Sequence, residues 1–132
     1  MAEQPARTLR ILVVEDDTET LLATMELLEL LGHRATGVRS AEAASDRFLE
    51  GFFDLLFVDL NLPGLSGMDL VKKLRSRERL PVIVASGAGP RFQELEHVIW
   101  LHKPYTTEQL QDALSQCCSG RASGTSSRPP DP

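Results

Sequence analysis

Polar residues stand at the ends of apolar runs, and their types point to one chemistry. Leu55-Leu56-Phe57-Val58 ends in Asp59, Leu9-Arg10-Ile11-Leu12-Val13-Val14 ends in Glu15-Asp16-Asp17, Pro81-Val82-Ile83-Val84-Ala85 ends in Ser86, and Val98-Ile99-Trp100-Leu101 closes at His102-Lys103-Pro104. Carboxylates gathered in one place repel each other and raise at least one pKa unless something compensates them. A hard divalent cation does this, and Mg²⁺ commonly takes one or two carboxylates together with waters and phosphate oxygens. Lys103 adds a compact positive charge suited to phosphate, and Ser86 a hydroxyl able to donate to a phosphoryl oxygen. An Asp carboxylate is itself a nucleophile that forms an aspartyl-phosphate, with Mg²⁺, Lys and Ser spreading the charge of the transferring group. An Asp in this position is also an ordinary loop cap. The argument for chemistry is that these groups meet at one place.

The elements between them bring this about. Leu55–Asp59 lacks polar alternation, as a strand buried on both faces of a parallel sheet does, and the turn-rich Leu60-Asn61-Leu62-Pro63-Gly64-Leu65-Ser66-Gly67 follows it. The first strand spans Leu9–Val14. A helix follows with Asp17 or Thr18 as N-cap, Glu19 in its first turn, a stripe of Leu21, Met25, Leu28 and Leu31, and Gly32 as its stop. Arg34–Val38 is a weaker strand. Ser40 caps a second helix with Ala41, Ala44 and Phe48 on one face and Gly51 at its end. A third helix runs from about Met68 to Arg77 with Val71 and Leu74 inward. Pro81–Ala85 and Val98–Leu101 are further strands, and Arg91–His97 has room for barely two helical turns. Thr106-Thr107-Glu108-Gln109 opens the last helix as a capping box, with Leu110, Ala113, Leu114 and Cys117 as its stripe. Alternation of this kind predicts a parallel sheet with right-handed crossovers and helices on both faces. Every strand's carboxyl end then points to one edge, where open α/β sheets place their ligands.

The totals narrow the function. At 132 residues the chain is one domain, read as a lead over 1–7, a folded unit over 8–118 and a disordered Ser/Gly/Pro/Arg tail over 119–132. Its 14 basic and 19 acidic residues leave a net charge of −5, which argues against general nucleic-acid or membrane-surface binding. Lys72, Lys73, Arg75, Arg77 and Arg79 read as a solvated helix face rather than a nucleic-acid patch. No apolar run reaches the roughly 18 residues of a membrane span, and Met1-Ala2-Glu3-Gln4-Pro5 lacks the apolar core of a signal peptide. Cys117 and Cys118 are adjacent, so they offer no disulfide framework or metal pair. A reducing cytoplasm is the expected compartment. His33, His97 and His102 have no metal-ligand spacing.

Taken in order, these residues resemble the receiver domains of two-component response regulators. The resemblance covers about residues 8 to 118 and rests on Glu15-Asp16, Asp59, Ser86 and Lys103-Pro104 following the first, third, fourth and fifth strands. It implies a flavodoxin-like (CheY-like) doubly wound α/β fold, a five-stranded parallel sheet of order 2-1-3-4-5 flanked by five helices, the fourth short or irregular. It further implies that Asp59 accepts a phosphoryl group from a phosphohistidine on a sensor histidine kinase or histidine phosphotransfer protein. Asp16 and Asp59 would ligate Mg²⁺ with the backbone carbonyl of Asn61, and Glu15 directly or through water. Lys103 would pair with Asp59 and then with the phosphoryl group, with Lys103-Pro104 a cis peptide. Ser86 would swing toward a phosphoryl oxygen, Trp100 fills the switch-aromatic position, and Asn61 and Ala88 line the approach of water. Two features depart from the family pattern. Only 16 residues separate Ser86 from Lys103, the shortening falling on the fourth helix, and Trp100 is bulkier than the usual Tyr or Phe.

The expected function is a phospho-accepting signalling domain, not an enzyme, that acts by binding another protein. It would be either a stand-alone regulator or the receiver of a hybrid kinase. Two other classes compete. A small Asp-nucleophile phosphatase shares the Mg²⁺ logic, but Asp59-Leu60-Asn61-Leu62-Pro63 lacks the second Asp of the haloacid dehalogenase type and no residues remain for a cap. A constitutive protein-binding scaffold would show partner affinity blind to phosphorylation.

Overall fold

The structure, a computed structural model, describes residues 8–49, 51–60, 67–87 and 98–123. Parallel strands β1 (Arg10–Val14), β2 (Arg34–Val38), β3 (Leu55–Asp59), β4 (Val82–Ser86) and β5 (Val98–His102) form one sheet in the order β2-β1-β3-β4-β5. This is the doubly wound, CheY-like flavodoxin order expected from the sequence. The helices among the described residues are α1 (Thr18–Leu30), α2 (Ala41–Arg47), α3 (Gly67–Arg75) and α4 (Thr107–Ser123). The short helix expected over Arg91–His97 lies outside the described residues, as do Asn61 and Ala88.

Period-two alternation sends each strand's side chains to two separate layers. Leu12, Val14, Leu56, Val58, Val82 and Val84 pack with Ala41, Ala44, Phe48, Val71 and Leu74 beneath α2 and α3. Ile11, Val13, Leu55, Phe57 and Ile83 pack with Leu21, Leu28, Leu110, Ala113, Leu114 and Cys117 beneath α1 and α4. Every residue of β3 and β4 is buried, as the apolar runs require. β2, at the sheet edge, is buried only at Val38.

The caps follow the sequence signals. Asp17 caps α1 and accepts from the Thr20 backbone N–H at 2.9 Å. Ser40 caps α2, accepting from the Ala43 N–H at 3.0 Å. Thr106 and Gln109 close a reciprocal capping box on α4, with bonds of 2.9 and 3.0 Å. Gly32 takes φ +98 just past α1, a left-handed stop that glycine enters without a Cβ penalty.

Three helix ends differ from expectation. α2 ends at Arg47, not near Gly51, because Phe48 turns into an extended conformation that buries its ring, stacked 6.2 Å from Phe53. Gly51, at φ +81, serves the next turn instead. α3 stops at Arg75, short of Arg77. α4 runs past the boundary at 118 to Ser123; Gly120 weakens a helix by about 1 kcal/mol but does not stop it, and the first proline comes only at Pro129.

At the amino edge of the sheet, the Leu9 backbone N–H donates to His33 Nδ1 at 3.1 Å, which requires a neutral ring protonated at Nε2. Burial pushes His33 below its ordinary pKa of 6.5. A depressed histidine contributes stability that is complete above the unfolded-state value and is lost as pH falls below it toward the folded-state value. The urea midpoint should therefore drop between pH 7.5 and 5.5 by more in the native chain than in His33→Gln. Equal pH slopes for the two chains would remove His33 from that role.

Candidate functional site

The parallel register brings the strand ends together as the sequence predicts. Asp59 closes β3 and Ser86 closes β4, both buried, and Glu15 follows β1, also buried. Lys103 follows β5, its backbone N–H donating to the Ser86 carbonyl at 2.8 Å. That bond ties the last two strand ends at the level of the site. The Glu15 N–H donates to the Val38 carbonyl at 3.1 Å and fixes the acidic loop against β2.

Of the three consecutive acids, Asp17 is consumed in capping. Besides the backbone bond it accepts from the Thr20 hydroxyl at 2.6 Å, and these bonds hold its carboxyl below the ordinary range. Glu15 and Asp16 remain. With Asp59 they form a cluster whose carboxylate oxygens lie within 4.8 Å of one another. Lys103 Nζ stands 3.4 Å from Glu15 Oε1 and 3.6 Å from Asp59 Oδ1. Burial, with the charge and hydrogen bond of Asp59, pushes the Glu15 carboxyl above its usual pKa, against the Asp17 N–H and the Lys103 charge. Burial works against the Lys103 ammonium, but Asp59 and Glu15 outweigh it and hold Lys103 above its ordinary value.

These residues fit a hard divalent cation. The donor set is all oxygen, and among the described residues three clustered carboxylates face the one Lys103 ammonium. Receiver domains generally bind Mg²⁺ at such an acidic pocket.

Trp100 lies in β5 opposite Val84 and packs, half-buried, on the α2/α3 layer. The Lys103–Pro104 peptide bond is cis. His102 is exposed and pairs in register with Ser86. Sequence reasoning did not single out Thr24 or Tyr105, whose hydroxyls meet at 3.1 Å beside the Lys103 loop. The available signal was a lone polar residue on the apolar face of α1. No helix among the described residues is long and apolar enough to cross a membrane.

Comparisons with known proteins agree with this geometry. The family model of the response regulator receiver domain matches residues 11–115. The sensory/regulatory protein RpfC of Xanthomonas campestris pv. campestris is 35% identical over 119 residues, covering 83% of this chain and 16% of RpfC. The virulence sensor protein BvgS of Bordetella pertussis is 29% identical over 142 aligned residues, covering 98% of this chain and 11% of BvgS. The chain thus spans only a small part of the length of these relatives. Among solved structures, a CheY-like response regulator receiver domain from Methylobacillus flagellatus superposes with a TM-score of 0.74 at 32% identity, over 84% of this chain and 99% of that one. A sheet of order β2-β1-β3-β4-β5 with acids, serine and lysine at its carboxyl edge, matched along nearly all its folded length, makes this chain a member of the response regulator receiver family, the signalling domains of two-component systems that receive phosphate from histidine kinases.

Proposed function

We propose that this chain accepts a phosphoryl group on Asp59 from a phosphohistidine of a sensor histidine kinase or phosphotransfer protein, in the cytoplasm, and so changes its affinity for another protein. The supporting observation is the Lys103 ammonium shared between the buried Asp59 and Glu15, 3.6 and 3.4 Å away. An isolated buried carboxylate is costly. One placed beside a lysine has its charge compensated and is available as a nucleophile.

Glu15, Asp16 and Asp59, with the backbone carbonyl of Asn61, would hold Mg²⁺. When bound, the ion supplies charge neutralisation for the phosphoryl oxygens. An Asp59 carboxylate oxygen attacks phosphorus as the P–N bond to the donor imidazole breaks. The electron pair of that bond returns to the ring nitrogen, and the imidazole, which carries a proton on its other nitrogen, leaves in its neutral form. Asp59 becomes an acyl phosphate. Lys103 transfers its pairing from the carboxylate to the phosphoryl oxygens, Ser86 donates its hydroxyl to one of them, and Trp100 repacks as the β4–β5 end shifts. Residues 8 to 118 form the responding unit, extended by the end of α4. Relatives such as RpfC and BvgS are far longer sensor proteins, which favours a place for this domain in a relay.

The test is intact mass after incubation with Mg²⁺ and acetyl phosphate. We expect one added phosphoryl group, dependent on Mg²⁺ and absent from Asp59→Asn. Beryllofluoride, which mimics the acyl phosphate, should perturb Trp100 fluorescence in the native chain alone. A folded protein that answers neither reagent is a phosphorylation-blind scaffold.

A further inference from the structure

Four polar side chains among the described residues are buried: Glu15, Thr24, Asp59 and Ser86. Three of them stand at the carboxyl edge of the sheet. Thr24 does not; it lies on the inner face of α1 with 5% of its surface exposed. A hydroxyl buried there is unfavourable unless bonded, and its partner is the Tyr105 hydroxyl, 3.1 Å away. Tyr105 also sets its ring edge-on to Phe57, centroids 6.1 Å apart, in the strand that carries Asp59. Burial pushes the Tyr105 phenol up, so it keeps its proton at neutral pH.

We propose that the Thr24–Tyr105 hydrogen bond is a pin that positions Lys103 for phosphoryl transfer, with both hydroxyls acting through the lysine. The proposal rests on the reading of Asp59 as phosphoacceptor. Lys103 stands on a flexible four-carbon stem, so where its ammonium rests depends on where its backbone is held. On one side the Lys103 N–H is bonded to the Ser86 carbonyl at 2.8 Å. On the other, the chain passes through Pro104 to Tyr105, which Thr24 and Phe57 hold against α1 and β3. The cleft beside this segment is lined by Asp17, Glu19, Thr20, Lys103, Pro104 and Tyr105. Glu19, and Asp17 while it accepts from Thr20, share this cleft with the lysine. With the pin closed, the ammonium stays between Glu15 and Asp59. With the pin open, it is shared with the acids of this cleft and leaves the phosphoryl position.

The test uses Thr24→Val, which keeps the shape and removes the hydroxyl, Tyr105→Phe, the double variant, and Thr24→Ser, which restores a hydroxyl. Folding is checked by circular dichroism. Two signals are read: the rate of phosphoryl incorporation from acetyl phosphate, and the labelling of Lys103 by an amine-reactive ester without Mg²⁺ or phosphate, quantified by peptide mass. We expect Thr24→Val and Tyr105→Phe each to slow incorporation about tenfold and to raise Lys103 labelling severalfold. The double variant should be no worse than the slower single one, and Thr24→Ser should behave as the native chain. Folded Thr24→Val and Tyr105→Phe with native labelling overturn the pin, whatever the phosphorylation result. A native chain that takes no phosphoryl group overturns the acceptor reading instead, and with it the pin's role in transfer, while labelling still reports whether the pin holds Lys103.

Discussion

Replacing Lys103 with Met is expected to slow phosphoryl incorporation at Asp59 by about 10²-fold, the scale of losing one preorganised charge at a transfer site. The same change should destabilise the Mg²⁺-free fold at neutral pH. Lys103 Nζ is a cation beside Glu15 and Asp59, at 3.4 and 3.6 Å. Without it, two buried carboxylates face each other with that positive charge gone, and removing one partner of such a group costs more than the pair contributes. The side chain of Lys103 is 31% exposed, so water enters the gap and the loss is about 1–2 kcal/mol rather than the full penalty of a sealed pair.

The pH dependence gives this prediction its signature. Glu15 is raised above its usual value by burial and by Asp59, and the Asp17 N–H and the Lys103 charge oppose that rise. A carboxylic acid raised in the fold binds more protons folded than unfolded, so its contribution to stability falls as pH climbs from the ordinary value near 4.5 through the raised one. In Lys103→Met that window extends upward. The stability gap between the two chains should be small at pH 5 and larger at pH 7.5, as read by urea unfolding with a chelator present. Mg²⁺, titrated through the fluorescence of the single tryptophan, Trp100, should bind more tightly to the variant, because a competing cation has gone. A gap independent of pH would mean that Lys103 does not answer the carboxylates.

The site could be read from the sequence because each of its charged groups interrupts an apolar run at the same point of a repeating unit. Asp59 ends five consecutive buried residues, and a parallel sheet has only one edge where such ends meet. Glu15, Asp16, Ser86 and Lys103 follow from the same geometry. Whether Asp17 or Thr18 caps the helix was open in the sequence. The choice of Asp17 depends on an N-cap side chain reaching the N–H three residues ahead.

Where the sequence misled, long-range packing was the cause. Gly51 looks like a helix stop, yet α2 ends earlier because burying Phe48 against Phe53 outweighs further helical turns. The Thr24–Tyr105 pair joins positions 81 residues apart. No local pattern announces it, since Thr24 breaks an otherwise apolar face by a single hydroxyl whose partner only the fold reveals. The aromatic shell around Phe52, with the Arg10 guanidinium 4.8 Å from its ring centroid, is equally invisible to periodicity.

The same central layer that made Asp59 legible predicts the largest loss of stability. Leu56→Ala should cost about 3 kcal/mol, through lost burial and the cavity left behind, and lower Tm by about 10–15 °C. Leu56 is 1% exposed, sits between Leu12 and Val82 in register, and touches the α2/α3 layer. A fully bordered site of this kind cannot collapse without moving strands on both sides. Leu22→Ala, on the outer face of α1 at 59% exposure, should change stability by no more than about 0.5 kcal/mol. The chemical residue type is the same, so the contrast isolates position. Because β3 lies between β1 and β4, slack at Leu56 also loosens Asp59 relative to Glu15 and Ser86. Phosphoryl incorporation should therefore slow in Leu56→Ala well below its melting temperature, and remain native in Leu22→Ala. Equal Tm shifts in the two variants would refute the central placement of β3. A destabilised Leu56→Ala with native incorporation would show instead that the strand end holds its geometry independently of the layer beneath it.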